Sequence, residues 1–336
     1  MDYFKQLLIY TIGLVLFFNI TVNAQFAETY FVRGSTKLDS KDYSGALADF
    51  NKAIEKKPSY SDAYVARGFT YHYLNKSELA ISDLNKAIEL DSLNPFNYTS
   101  RGEYFCLIKD YPSALPDFNK AIMINPEDAK AYYERGSLHL ELHEMDKAIA
   151  DYDKSLQLEP DHKLWYLNRG VCEFDMENYS KACKDCTIYL GYKQDDKNAY
   201  CIRGNSFYKL GLYNSAIADF NKSIEIDSNY SEAYLIRGNS YLQMNTFKDK
   251  LSSFPTKRNI TPQVPLDKIK RANTLKGISD FNKVIIIDPK NIEAYMNRAY
   301  AKYITCDYAG ACEDWKKASA LGYSKADDFI KEYCKK

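Results

Sequence analysis

An arginine returns every 34 residues along this chain, at Arg33, Arg67, Arg101, Arg135, Arg169, Arg203 and Arg237, and then at Arg298 after 61 residues, which is 34 plus 27. Each has a tyrosine three residues before it, from Tyr30 to Tyr295, and a small residue after it, glycine seven times and Ala299 once. Thirteen residues past the arginine stands Ala46, Ala80, Ala114, Ala148, Ala182, Ala216 or Ala311, with Gly277 at that place in the seventh unit once 27 extra residues are counted. Three residues further on there is always an aspartate: Asp49, Asp83, Asp117, Asp151, Asp185, Asp219, Asp280 and Asp314. A fixed period with fixed residue chemistry leaves few solutions, and the expected one is a stack of like units.

Within a unit, the positions three before, one after and four after the arginine follow the spacing that puts side chains on one helical face. This is helix A. The second half, as in Tyr43 to Ile54, repeats apolar residues at i, i+3, i+4 and i+7, which is helix B. Turn formers such as Gly211 separate the two, and Pro58, Pro126, Pro160 and Pro289 close units because proline cannot continue a helix. The expected fold is all-α: eight antiparallel helix pairs over 27–60, 61–94, 95–128, 129–162, 163–196, 197–230, 231–291 and 292–321. One pair cannot bury its apolar face alone, so neighbours stack and the core runs lengthwise. A glycine inside a helix costs about 1 kcal/mol against alanine. Seven of them, each facing the alanine of helix B, read as a requirement for close backbone approach. The recurring Arg and Asp lie on facing helices and read as a ladder of ion pairs. An arginine ladder gripping an acidic ligand is the alternative, which the aspartates would neutralise.

Over roughly Ala27 to Leu321 these residues resemble the tetratricopeptide repeat family, in eight copies. The resemblance implies a right-handed α-α superhelix, or solenoid, that usually binds a peptide or partner helix along a concave face lined by the A helices. Departures are local. The fifth repeat carries Cys186 where others have Phe, Tyr, Leu or Trp, and Tyr189 where most have Ala or Ser. In the third, Pro116 falls inside helix B and is expected to delay or kink its first turn. The basic and asparagine clamp by which chaperone-binding relatives hold a terminal carboxylate is not reproduced, so that recognition is not implied.

Forty-five basic and forty-five acidic residues cancel, which favours neither nucleic acid nor an anionic membrane as the main partner. Residues 1–24 differ in kind: Lys5, an apolar stretch from Leu7 to Ile20, then Val22-Asn-Ala24. This reads as a secretory signal peptide cleaved after Ala24, with an uncleaved anchor as the alternative. Either places the array outside the cytoplasm, and the expectation is an exported bacterial protein of the periplasm or cell envelope, with no membrane span in the mature chain. Residues 322–336 read as a C-terminal capping helix, inner face Ala326, Phe329, Ile330 and Tyr333. The extra residues of the seventh repeat, about 247–273, hold Pro255, Pro262 and Pro265 and an excess of basic residues. They read as an irregular excursion with a short helix near Leu266 to Lys276, either a partner contact or disordered.

Eight cysteines in an exported chain permit disulfides, yet they sit mostly at packing positions, which favours buried free thiols. Cys172 with Cys183 is the pair to test first. Cys183-Lys-Asp-Cys186 lies inside helix B and has no second Cys-x-x-Cys, and His139 with His143 finds no third ligand, so no metal is expected. No nucleophile elbow, phosphate loop or triad is present, and neither an enzyme nor a cofactor is expected. The groove remains. Partner-binding candidates on the inner face are Phe31, Leu38, Val65, Phe69, His72, Tyr73, Leu107, Tyr133, Leu140, Leu167, Phe174, Asn205, Tyr208, Asn239, Leu242, Tyr300 and Tyr303. This mixture suits an extended peptide or amphipathic helix of another protein. The competing reading is that these side chains pack against the next repeat. The expected function is a non-enzymatic scaffold; a structural subunit of a secretion or outer-membrane assembly, or a glycan or cell-wall binder, are the alternatives.

Overall fold

The computed structural model describes residues 23–244 and 267–334. Most of the signal segment and residues 245–266 of the expected excursion lie outside them. Every element among the described residues is helical. The chain divides into two compact units, Met1–Asp161 and His162–Lys336.

In the first unit the A helices are α1 (23–39), α3 (Ser61–Tyr73), α5 (Pro95–Leu107) and α7 (Ala129–Glu141). Their B partners are α2 (Tyr43–Lys56), α4 (Ser77–Leu90), α6 (Tyr111–Ile124) and α8 (Met145–Leu158). In the second unit the A helices are α9 (Lys163–Asp175), α11 (Lys197–Lys209), α13 (Ser231–Gln243) and α15 (Ile292–Ile304). The B helices are α10 (Tyr179–Tyr192), α12 (Tyr213–Ile226), α14 (Lys268–Ile287) and α16 (Tyr308–Ala320), and α17 (Ala326–Tyr333) follows.

Local chemistry sets the helix ends. Asp128, Asp196 and Asn291 accept hydrogen bonds from the amides of Ala131, Ala199 and Ala294, satisfying donors that a helix start leaves free. Each A–B turn is made by one residue in the left-handed region eight places after the arginine, among them Asn75, His143, Glu177 and Gly211. The amides there close the helix, as when Glu177 donates to Phe174 O at 3.0 Å and Asn178 to Glu173 O at 2.7 Å. Glycine occupies this turn once among the described repeats, at Gly211. Glu177, at φ 60°, therefore carries a steric cost that glycine would not. Glu177→Gly is expected to raise stability by about 0.5–1 kcal/mol, read from the denaturant midpoint; a lower midpoint would show that the Glu177 side chain supplies more than the turn costs.

Two local expectations change. Pro116 does not delay its helix, since α6 starts at Tyr111 as its counterparts start at Tyr43, Tyr179 and Tyr213. The proline is exposed, so the acceptor it leaves free four residues earlier, on exposed Pro112, is on the solvent side. No separate short helix forms near Leu266 to Lys276. From Lys268 the chain runs unbroken into the seventh helix B, making α14 20 residues long where its counterparts have 13 or 14.

The core passes from repeat to repeat. Leu84 packs with Tyr104 of the next repeat, Phe118 with Leu138, Phe220 with Ala233, and Val284 with Ala294. What fills the space over each A-helix glycine is less the facing alanine than the ring one residue past the ladder aspartate. A Cβ on Gly102 would lie 2.7 Å from Phe118 Cε1, and one on Gly238 2.7 Å from Phe281 Cε1. At the C-terminal end, α17 lays Phe329 on Trp315, ring centroids 5.5 Å apart, and a Cys312–Cys334 disulfide joins it to α16. The expected Cys172–Cys183 pair is not formed: both thiols are free and buried, and Cys183 Sγ faces the carbonyl of Arg203, 3.9 Å away on the next helix A.

Candidate functional site

The ladder is built in every repeat. Arg203 Nε and Nη2 donate to the two carboxylate oxygens of Asp219 at 2.8 and 2.7 Å, and the same two-pronged contact joins Arg67 to Asp83 and Arg237 to Asp280. Tyr three residues earlier lies against the guanidinium, 5.2 Å from centroid in the case of Tyr64 and 5.3 Å for Tyr234. The third arginine nitrogen crosses to the preceding repeat: Arg67 to Asn51, Arg101 to Asn85 and Arg135 to Asn119 in the first unit, Arg237 to Asn221 and Arg298 to Asn282 in the second. Sequence reasoning missed these asparagines, although each stands two residues after a ladder aspartate. The ladder thus staples hairpins together, and its arginines are occupied from within.

The A helices form one surface of each unit. α5 touches both α3 and α7, α11 touches both α9 and α13, and α13 touches α15, while no comparable contact joins successive B helices among the described residues. This proximity decides how much of the expected groove is free. Val65 is 3% exposed, packed under Tyr104, and Tyr303 is 7% exposed between Trp315 and Tyr333 beneath the capping helix. Both belong to the core, not to a docking surface. Tyr73 and Leu107 are open, at 49% and 53%. The other candidates are half-buried: Phe31, Leu38, Phe69, His72, Tyr133 and Leu140 in the first unit, Leu167, Phe174, Asn205, Tyr208, Asn239, Leu242 and Tyr300 in the second.

Many of these candidates have neighbours of their own. Phe31 packs on Tyr60 and Phe50, His72 meets Tyr104 edge-on at 5.6 Å, and Tyr73 stacks on Tyr43 at 4.9 Å. Phe174 meets Tyr179 and Tyr208 meets Tyr213, so each inner ring leans on the first residue of its own helix B. In the second unit, Asn205 donates to Glu232 at 3.1 Å and Asn239 to Glu293 at 3.3 Å, while Asn297 donates to Asn239 Oδ1 at 2.8 Å. The glutamate partners were not anticipated. Their signal is a recurring offset, Asn205 to Glu232 being 27 residues apart.

His139 and His143 do not share a helical face, since α7 ends at Glu141 and His143 is the left-handed turn residue. His139 is buried, with Nδ1 2.7 Å from Glu144 Oε2. Among the described residues no group of three or more His, Cys, Asp or Glu is placed to hold a metal ion. Burial pushes the thiols of Cys106, Cys172, Cys186 and Cys201 up to about 12, and Cys183 up to about 11, so these five offer no thiolate at neutral pH.

Models of the tetratricopeptide repeat match residues 27–60, 61–92 and 129–162, and a further TPR repeat model matches 204–245. No curated protein matches. Among solved structures, the chain is similar to PilF of Pseudomonas aeruginosa, with a TM-score of 0.59 and 17% identity over 65% of this chain and 99% of that one. It is also similar to PilW, described as a widely conserved type IV pilus biogenesis factor, with a TM-score of 0.54 and 16% identity over 62% of this chain and 96% of that one. A third is YrrB, described as a TPR protein with an unusual peptide-binding site, with a TM-score of 0.52 and 18% identity over 63% of this chain and 95% of that one. At such identities the likeness is one of fold.

Proposed function

We propose that this chain, which belongs to the tetratricopeptide repeat family and is as such a scaffold for protein–protein interaction, docks an extended peptide or amphipathic helix of another protein on the A-helix faces of its units. The observation that carries this reading is the exposure of Tyr73 and Leu107 at corresponding ends of successive A helices, beside half-buried rings that keep polar edges. Large apolar side chains held open on a rigid, repeated surface favour a partner that covers them. YrrB, a peptide binder by its description, supports the mode and not the identity of the ligand. The role is non-enzymatic, in keeping with arginines and aspartates that satisfy one another and thiols held protonated.

The setting we propose is the bacterial cell envelope. The apolar character of residues 7–20 and the Cys312–Cys334 disulfide both favour an oxidising, exported location. No helix among the described residues is long and apolar enough to cross a membrane. The test is selection of random displayed peptides on the full chain, followed by affinity measurement with variants. Tyr73→Ala and Leu107→Ala are each expected to weaken a selected peptide about five- to tenfold, roughly 1–1.4 kcal/mol. Unchanged affinity in both variants, or failure to select any peptide, would remove the A-helix face as the docking surface.

A further inference from the structure

One interface of the first unit has a charge arrangement that packing does not account for. Between the third and fourth repeats, Lys130 Nζ lies 2.5 Å from Glu103 Oε1, bridging α7 to α5. Glu134, one turn further along α7, is half-buried and feels both Glu103 and Lys130. Cys106 on α5 lies within the field of Glu134, Glu103 and Glu141 together. Three carboxylates thus surround one ammonium. At the matching interfaces of the second unit the balance differs, since Asn205 faces Glu232 and Asn239 faces Glu293, a neutral amide closing on one carboxylate each time.

A second observation is independent of charge. Thr99, one turn before Glu103 on the same face of α5, is 2% exposed, and its hydroxyl has no hydrogen-bond partner. A buried hydroxyl left unpaired costs free energy that a bound donor would recover. Burial first, and Glu103 second, push Glu134 up to about 7, with Lys130 pulling the other way. An added positive charge beside it would relieve that penalty.

We propose that the A-helix face between the third and fourth repeats receives one cationic side chain of the docked peptide, a lysine ammonium or arginine guanidinium, held by Glu134 and Glu103 with the Thr99 hydroxyl as a further acceptor. This rests on the docking reading above and adds the charge class of the ligand at one place. Its linkage has a definite sign. The groups facing Glu134 are Glu103 and Cys106 from α5 and Lys130 from α7 itself, with Glu141 further along the same helix. A bound cation lowers the Glu134 pKa, so binding releases a proton and affinity rises as pH increases through about 7.

The experiment uses peptides selected from a random library on the full chain. Selected sequences are expected to carry Lys or Arg at one fixed position. Replacing that residue by norleucine or citrulline should weaken binding about tenfold, and Glu134→Gln should erase the difference between the charged and neutral peptides. Peptides that bind without a fixed cation, or whose neutral versions bind equally, would overturn this inference while leaving docking in place. Selection of no peptide would overturn both. Should Glu134→Gln fail to give the wild-type melting profile, the charged and neutral peptides compared on wild type at pH 6 and 8 decide the matter: the gap between them widens at pH 8 if Glu134 holds the cation, and an equal gap rejects it.

Discussion

Asp219→Ala is expected to lower the stability of the second unit by about 3 kcal/mol, seen as an earlier denaturation midpoint. Asp219 is 5% exposed and accepts both prongs of Arg203, whose third nitrogen reaches Thr187 and whose guanidinium lies 5.6 Å from the Tyr200 ring. Removing the carboxylate leaves a largely desolvated cation on a helix that cannot turn it to water without breaking its contacts to both neighbours. Most of the loss is that orphaned charge, not the pair's own attraction. Replacing both partners, Arg203→Met with Asp219→Leu, is therefore expected to recover much of it. Asp49→Ala should cost less, because the Arg33 side chain is 50% exposed. A midpoint unchanged by Asp219→Ala would mean that the ladder contributes register but little stability.

Phe118→Ala is expected to cost about 3–5 kcal/mol, the range for emptying a fully buried aromatic site. Its ring is 0% exposed and fills the space above Gly102, from which a Cβ would stand 2.7 Å away. Gly102→Ala tests the same contact from the other side. The added methyl gains about 1 kcal/mol in helix propensity and loses about 1–3 kcal/mol to overpacking, so a modest net loss is expected. The two sites should couple, with Gly102→Ala better tolerated when Phe118 is Leu. The protein contains both solutions already: Leu84 sits over Gly68, and Ala299 accompanies Trp315 in the last repeat. Strict additivity of Gly102→Ala and Phe118→Leu would show that the glycine is retained for another reason.

The helices and their pairing could be read from the sequence because every repeat casts the same vote. Arg and Asp 16 residues apart, with Gly between them, leave one register for the hairpin. Features that break the repeat were harder to read. Cys312 and Cys334 meet because α17 folds back on α16, and no earlier repeat has a counterpart of α17 to supply the register. Turn residues such as Lys109 and Glu177 take the left-handed conformation against their own preference, imposed by the helices on either side. On the inner face, spacing identified which residues point inward but not how far the adjacent A helix covers them. Val65 and Tyr303 were thus counted as surface when Tyr104 in one case, and Trp315 with the capping helix in the other, bury them. The interface acids escaped notice because Glu134 lies one residue before its arginine, outside the positions taken to face the groove.

The most direct test of A-helix docking is hydroxyl-radical footprinting of the full chain with and without a selected peptide, read at four side chains. Tyr73 and Leu107 lie open on α3 and α5, while Met123, 64% exposed on α6, and Ile286, 72% exposed on α14, report on B helices. Bound peptide is expected to slow oxidation of Tyr73 and Leu107 and leave Met123 and Ile286 as they were. Protection of the B-helix residues with Tyr73 and Leu107 unchanged would contradict the account.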